Sequence, residues 1–287
     1  MKIKKIVMFI SFFGLIAVSA LTFAKQDWAQ VSSDHFVVYY NEIYENFASD
    51  VSRKAEEYYN SIADDLGYVR YSNFWKWDKR VKIYIYPDHI SYLSATDQQS
   101  WSHGIADYYK KEIISYAWGK DFLKSLLPHE MAHLIFRDFV GFKSEIPLWL
   151  DEGVAQWEET DLKAQRLSMI KQQARQNILL PIETMIDLDI RTIKTDQKIS
   201  IKAMAIDDAQ TPLLEMDGNA LVNIYYLQSF SLVGFLMERY GSDSFVVFSR
   251  QLRDGKPISD ALKFAYPQQL RSIEELEKQW KQYLLSN

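Results

Sequence analysis

Residues 129–133 read His-Glu-Met-Ala-His, and this short segment restricts what the chain around it can form. On an α-helix, residues four apart lie on one face, so the imidazoles of His129 and His133 point the same way and can hold one ion. Glu130 lies about 100° further around the helix axis, beside that ion. A carboxylate there can take a proton from a water that the ion activates. The segment predicts a metal-binding helix that carries its own base.

The residues around the motif are typical of a buried helix, which argues against a surface helix with two solvated histidines. Apolar side chains lie on both sides of it, namely Leu126, Leu127, Met131, Leu134, Ile135 and Phe139. Pro128 is the exception, because proline removes a helical hydrogen bond. If Ser125 is the N-cap, Pro128 falls in the first turn, where its missing N–H has no helical partner. If the helix begins at Asp121 instead, we expect a kink just before His129.

The chain contains no cysteine among its 287 residues. This excludes disulfides, thiolate catalysis and cysteine-based metal sites, so any metal must be held by histidine and carboxylate side chains. A hydrophobic content of 48% is sufficient for a substantial core. The formal charge of −5 argues against nucleic acid as the main partner.

The first 24 residues have the pattern of a secretory signal peptide. Lys2, Lys4 and Lys5 precede an apolar run at residues 6–20, and a small-x-small cleavage site ends at Ala24. The alternative is an uncleaved membrane anchor, but the run is short for a bilayer core about 30 Å thick. We expect a secreted or periplasmic chain without a membrane span after cleavage.

Periodicity predicts a mixed α/β front and a helical back, which is an α+β arrangement. The predicted strands are residues 35–40, 80–86, 104–109 and 112–118, and the clearest later helices are residues 219–240 and 272–284. Gly241 is expected to end the first of these helices, and Ser272 with Glu275 has capping-box spacing at the second. Residues 160–218 give no clear pattern.

A third metal ligand is available downstream, as a catalytic zinc requires. Residues 147–155 read Pro-Leu-Trp-Leu-Asp-Glu-Gly-Val-Ala and predict a helix that begins near Pro147. Glu152 follows His133 after 18 intervening residues. This arrangement resembles the HExxH-x18-E signature of the gluzincin zinc metallopeptidases, the group that includes thermolysin and aminopeptidase N. Residues 220–285 are also similar to bacterial peptidase MA-like domains.

The resemblance implies a role for each matching residue. His129, His133 and Glu152 would bind Zn²⁺, and Glu130 would be the general base. Gluzincins also use a tyrosine or histidine to stabilise the oxyanion of the tetrahedral intermediate. Tyr226 is the candidate for that role, with Tyr225 second, although a tyrosine on an apolar helix stripe is also typical of a core residue.

The resemblance also implies a fold and a reaction. The fold would be a thermolysin-like, or gluzincin-like, catalytic domain at residues 25–287, with a sheet in the front lobe (25–139) and a helical lobe (about 140–287). The reaction would be zinc-dependent hydrolysis of a peptide or protein substrate. Two alternatives stay open: an envelope protein that binds a peptide or partner without turnover, and a hydrolase acting on a non-protein amide.

Three further expectations concern the surroundings of the site. Asp151, Gln156 and Glu159 could accept the far N–H of a ligand histidine or could form a solvated acidic face. The strand at 112–118 would be an edge strand that pairs with extended substrate, or an ordinary sheet strand. It lacks the Gly-x-Met-Glu-Asn motif of aminopeptidase N relatives, so aminopeptidase activity is not supported. The remaining histidines, His35, His89 and His103, lack ligand spacing and are expected to be structural or surface residues.

Overall fold

The computed structural model describes residues 28–68, 75–98, 100, 102–143, 145–204 and 212–286. The signal peptide expected at residues 1–24 lies outside them. Within the described residues the fold is mixed α+β, as the sequence predicts.

A five-stranded sheet forms the front of the molecule. The strands are β1 (Ala29–Ser32), β2 (Phe36–Tyr40), β3 (Val81–Tyr86), β4 (Gly104–Asp107), β5 (Glu112–Tyr116), β6 (Lys198–Lys202) and β7 (Leu213–Asp217). The sheet has the order β1-β2-β3-β5-β4, and β6 and β7 form a separate antiparallel hairpin. Strands β2, β3 and β5 are parallel, whereas β1 and β4 pair antiparallel with their neighbours. The four predicted strands are confirmed.

The expectation that residues 112–118 form an edge strand is wrong. Strand β5 pairs with β3 on one side and with β4 on the other. The physical reason is that β5 adds to the parallel centre of the sheet, where Ile113 and Ser115 are 0% exposed. The chain reverses tightly at Lys111, whose φ is 54°. Its hairpin partner β4 is therefore the outer strand.

The remainder of the described chain is mainly helical. The helices are α1 (Glu45–Asp65), α2 (His89–Thr96), α3 (Leu127–Val140), α4 (Leu148–Trp157), α5 (Lys163–Arg175), α6 (Ile182–Asp187), α7 (Gly218–Arg253), α8 (Ile258–Ala265) and α9 (Ile273–Leu285). Ser272 caps α9, because its hydroxyl accepts the Glu275 N–H at 3.2 Å, as predicted. The range of α7 contains two helical parts that meet at a kink, because Gly241 has non-helical backbone angles of φ 77° and ψ 165°; the first part ends there, as predicted, and the second runs to Arg253.

The start of the motif helix differs from the expected N-cap. Ser125 is not a cap; it lies in a π-helical turn, Phe122–Leu126, that runs directly into α3. In this turn the Leu127 N–H bonds to the Phe122 carbonyl. The wider turn suits Pro128, which has no N–H and whose ring crowds the preceding turn of a regular helix. The helical segment therefore begins before Pro128, as in the alternative that places its start near Asp121, with a π-helical turn at the proline.

Helix α7 is the central core helix and fixes the position of α4. The two helices approach so closely that a Cβ added at Gly153 would lie 2.4 Å from the Ser229 carbonyl oxygen. Helix α7 is long and apolar enough to cross a membrane. However, 72% of its most apolar stretch is buried inside the protein, as in a core helix. The residues without a clear sequence pattern, 160–218, form α5, α6 and the β6–β7 hairpin.

Candidate metal centre

Three side chains from two helices converge on one point. His129 and His133 project from α3, and Glu152 projects from α4 toward them. Oε2 of Glu152 lies 3.7 Å from Nε2 of His129 and 3.7 Å from Nε2 of His133. Among the described residues, these three side chains form the group of histidines and carboxylates that is spaced to hold a metal ion. One nitrogen or oxygen atom from each lies within 4.8 Å of the others.

The geometry of this group fits a zinc ion. Tetrahedral ligands at zinc bonds of about 2.0–2.1 Å lie about 3.3 Å apart, only a few tenths of an ångström less than the two distances to Glu152. Two histidines with one glutamate are also a known ligand set of catalytic zinc, which leaves a fourth position open. The residues present therefore suit a catalytic rather than a closed structural site.

The ring of His133 is held by a carboxylate and an arginine. Its Nδ1 lies 3.0 Å from Oδ1 of Asp151. The other oxygen, Oδ2, accepts hydrogen bonds from Nε and Nη2 of Arg137 at 2.9 and 2.6 Å. Because the carboxylate can only accept, Nδ1 carries the proton that is shared with Asp151, and Nε2 is directed toward Glu152.

His129 is held in the same way from another part of the chain. Its Nδ1 lies 2.9 Å from Oε1 of Glu159, which also accepts a hydrogen bond from Nη2 of Arg166 at 3.0 Å. The hydroxyl of Ser125 donates to the other oxygen of Glu159. Two of the three expected partners, Asp151 and Glu159, thus contact the ligand histidines. Gln156 does not, and contributes its backbone carbonyl to Arg166.

The electrostatics of the cluster favour positive charge at its centre. Burial alone would raise the pKa of Asp151, but its contacts with His133 and Arg137 outweigh burial and lower it. Burial likewise opposes ionisation of Glu159, whose pKa is nevertheless lowered, chiefly by its hydrogen bond with His129. The pKa of His133 rises to about 9, because the charges of Asp151 and Glu152 outweigh burial. A proton or a divalent cation bound at the centre would be stabilised by the negative charges of these carboxylates.

Glu130 lies beside the cluster and is only 9% exposed. Burial raises the pKa of its carboxyl, and the nearby histidines offset part of that rise. A buried carboxyl with a raised pKa is suited to accept a proton and later release it.

The two tyrosine candidates have different surroundings. Tyr225 is 0% exposed, and its hydroxyl donates to the Met185 carbonyl at 3.1 Å, so it is a core residue. Tyr226 is half-buried, and the charges of the cluster act on it. Burial and the charges of Glu152 and Glu130 raise the pKa of Tyr226. Among the described residues no hydrogen bond engages its hydroxyl, which is therefore free to donate.

Several residues near the centre were not predicted from the sequence. Tyr108, just after β4, presents its ring edge-on to His133 with centroids 6.2 Å apart, and the Arg137 guanidinium lies 5.9 Å from the same ring. Arg137 is four residues after His133, so helical spacing alone could have identified it. Arg166 lies in α5, where the sequence offers no such signal.

The three other histidines make structural contacts. Nδ1 of His35 lies 2.7 Å from Glu56, Nε2 of His89 donates to the Ser102 carbonyl at 2.8 Å, and Nδ1 of His103 lies 2.7 Å from the Tyr116 hydroxyl. None of them belongs to the ion-binding group found among the described residues.

Comparison with known proteins gives distant structural likeness only. Two solved structures that resemble the chain are of yeast LTA4 hydrolase, one in complex with bestatin and one native, at 14% and 12% identity and TM-scores of 0.46 and 0.45. The matches cover 91% and 88% of this chain but 39% and 38% of the hydrolase, so the chain spans about two fifths of that protein. No family model and no curated protein matches the chain.

Proposed function

We propose that the protein is a zinc metallopeptidase of the gluzincin type that hydrolyses peptide bonds. The observation that carries the proposal is the convergence of His129, His133 and Glu152, with both histidines turned by carboxylates so that Nε2 faces the centre. A core or a solvated surface gives no reason for a buried histidine and a half-buried one, each held by its own carboxylate, to be oriented in this way toward a third carboxylate.

In the proposed hydrolysis, the zinc ligands, Glu130 and Tyr226 have separate roles. Zinc, when bound by the three ligands, polarises a carbonyl and lowers the pKa of water to near 7. Glu130 takes a proton from the attacking water and delivers it to the leaving amine. The Tyr226 hydroxyl donates a hydrogen bond to the oxyanion.

Strand β4 is the part of the sheet best placed to hold an extended peptide. It is the outer strand, and its outer side pairs with no other strand among the described residues. It also lies against the start of the metal-binding helix, since a Cβ added at Gly104 would be 2.4 Å from the Leu126 side chain. Strand addition would supply backbone hydrogen bonds to the substrate without demanding a particular sequence.

The proposal extends to the setting of the enzyme. The pattern of residues 1–24 supports export, and the acidic composition supports a peptide or protein substrate rather than nucleic acid. Residues 25–287 would form one catalytic domain in which the sheet lobe and the helical lobe enclose the cleft.

The decisive experiment combines metal analysis with proteolysis. The purified mature chain should contain about one zinc per chain and cleave casein. Glu130→Gln should keep the zinc and lose cleavage, whereas Glu183→Gln, at an exposed position on α6, should keep both. Full activity in Glu130→Gln would refute the assigned base. Zinc without cleavage of casein or of cell-wall peptides would favour a binding protein.

A further inference from the structure

The turn between β4 and β5 is fixed to the motif helix α3. The Asp107 side chain, at the end of β4, accepts the backbone N–H groups of Tyr109 and Lys110 at 3.0 and 2.9 Å. Nζ of Lys111 donates to Oδ2 of Asp138 on α3 at 2.7 Å. The hydrogen bonds within the turn set its backbone shape, and the ion pair sets its position against the helix that carries both histidines.

Tyr108 lies in this turn and contacts two side chains of α3. Its ring centroid is 6.2 Å from that of His133, with the two ring planes at 81°. The guanidinium carbon of Arg137 lies over the same ring, 5.9 Å from its centroid. Both distances are within the range of favourable aromatic and cation–π contacts. The Tyr108 hydroxyl makes no hydrogen bond to a residue that the structure describes, so the ring is the part of this side chain that contacts the helix.

Asp151 on α4 contacts the same two side chains from the helical lobe. It lies beside Nδ1 of His133 and accepts two hydrogen bonds from Arg137. Together with Tyr108, these side chains form a closed ring of contacts that joins the turn after β4 to α3 and α4. Water is largely excluded from it, since His133 is 6% and Asp151 4% exposed and the Arg137 side chain is 17% accessible. In such a place the strength of the charge pair and of the shared proton depends on how well water stays excluded.

We propose that Tyr108 is a positioning residue for the metal ligand His133. Its ring covers the contacts of Arg137 and His133 with Asp151, and so keeps Nδ1 of His133 bonded to that carboxylate and Nε2 directed at the centre. A contact of this kind acts on the metal through the ligand that it holds. The inference rests on the proposed zinc site and names a residue of the sheet lobe that maintains it.

The first test is zinc affinity, measured by competition with a chromogenic chelator. Tyr108→Leu replaces the ring with a smaller apolar side chain and should weaken zinc binding about five- to tenfold, less than loss of a carboxylate that bonds directly to a ligand. Tyr108→Phe keeps the ring and should bind zinc like wild type. Tyr109→Leu is the matched control, because it makes the same change one residue away, where the ring is exposed and stacks on Phe142. It should also bind zinc like wild type.

The second test needs no metal. In the zinc-free protein, NMR follows the exchange of the His133 Nδ1 proton with water. Exchange should be about tenfold faster or more in Tyr108→Leu than in the wild type, and unchanged in Tyr108→Phe and Tyr109→Leu. Urea denaturation checks that each variant is folded, and Tyr108→Met, which fills more of the space, takes the place of Tyr108→Leu if that variant is not.

A double-mutant cycle tests whether Tyr108 acts through Arg137. The loss of zinc affinity caused by Tyr108→Leu should be smaller in an Arg137→Gln background than in the wild type, because the two side chains contact each other. No effect of Tyr108→Leu, an equal effect of Tyr108→Phe or of Tyr109→Leu, or equal losses in both backgrounds would overturn the proposal. A wild type that binds no zinc would refute the proposed peptidase function, whereas proton exchange in the zinc-free protein would still decide the role of Tyr108.

Discussion

Nδ1 of His133 lies 3.0 Å from Oδ1 of Asp151, the residue immediately before Glu152, the third proposed ligand. One turn of α4 therefore supplies both a ligand and the carboxylate that orients another ligand. Arg137 completes the arrangement from the opposite helix by holding the second oxygen of Asp151. A shift of α4 relative to α3 would disturb two of the three ligands together.

Asp151→Asn should weaken zinc binding about 10–100-fold. The amide can still accept the Nδ1–H, but it has lost the charge that makes the imidazole a stronger ligand and pairs with Arg137. Zinc affinity would be measured by competition with a chromogenic chelator. Asp161→Asn removes the same charge from an exposed pair with Lys124 and should bind zinc like wild type. Unchanged affinity in Asp151→Asn would contradict the assigned role of the contact.

Tyr226→Phe and Tyr225→Phe should have opposite consequences. Loss of the Tyr226 hydroxyl should lower kcat about 10²–10³-fold, as removal of an oxyanion donor does, with zinc content intact. Loss of the Tyr225 hydroxyl removes its bond to Met185 and should cost about 1 kcal/mol of stability with little effect on kcat. Peptide hydrolysis and urea denaturation of both variants check this. If Tyr225→Phe lost the activity instead, the two assignments would have to be exchanged.

The convergence of the three proposed ligands could be predicted from the sequence because its determinants are local. Two histidines four apart share a helix face, and Glu152 opens a helix whose start is marked by Pro147. The identity of the outer strand could not be predicted in this way. Residues 104–118 form the predicted hairpin, but which strand faces solvent depends on the parallel pairing of β5 with β3, a contact between distant parts of the chain.

Arg166 shows the other limit of sequence reasoning. It lies in residues 160–218, where α6 is short and the β6–β7 hairpin is half-exposed, so neither a helical nor a strand period of hydrophobic residues is strong. Arg166 reaches the centre through tertiary contacts with the Gln156 carbonyl and Glu159. The Ser125 hydroxyl is a related case, since a residue typical of a helix cap bonds instead to Glu159, brought close only by packing of α4.

Glu158→Gln should change how stability depends on pH. Glu158 is 2% exposed, and burial together with the charge of Asp65 raises its pKa to about 8. Between its ordinary pKa of 4.5 and about 8, the folded protein keeps a proton that the unfolded chain releases. The contribution of Glu158 to stability is therefore fully present below pH 4.5 and is lost as pH rises through about 8.

Glutamine does not titrate, so the stability of Glu158→Gln relative to wild type should rise as the pH increases across this interval. Asp65→Asn removes the neighbouring charge, so the pKa of Glu158 should fall. The decline in stability should then be smaller and should end at a lower pH than in the wild type. Denaturant unfolding of the zinc-free proteins from pH 5 to 9 measures both. Parallel pH profiles for wild type and Glu158→Gln would show that the carboxyl does not titrate in this range.

Gly153→Ala should destabilise the protein and weaken zinc binding together. The added Cβ would lie 2.4 Å from the Ser229 carbonyl oxygen and 2.7 Å from the Val233 side chain, so α4 must move away from α7. Such overpacking costs about 1–3 kcal/mol, more than the gain of about 1 kcal/mol from the better helix propensity of alanine. Urea denaturation of the zinc-free protein and chelator competition measure the two effects. Adding Val233→Ala should not restore either property, because the tighter contact is with backbone; full rescue would mean that side-chain crowding, rather than the approach of the two helix backbones, fixes the position of Glu152.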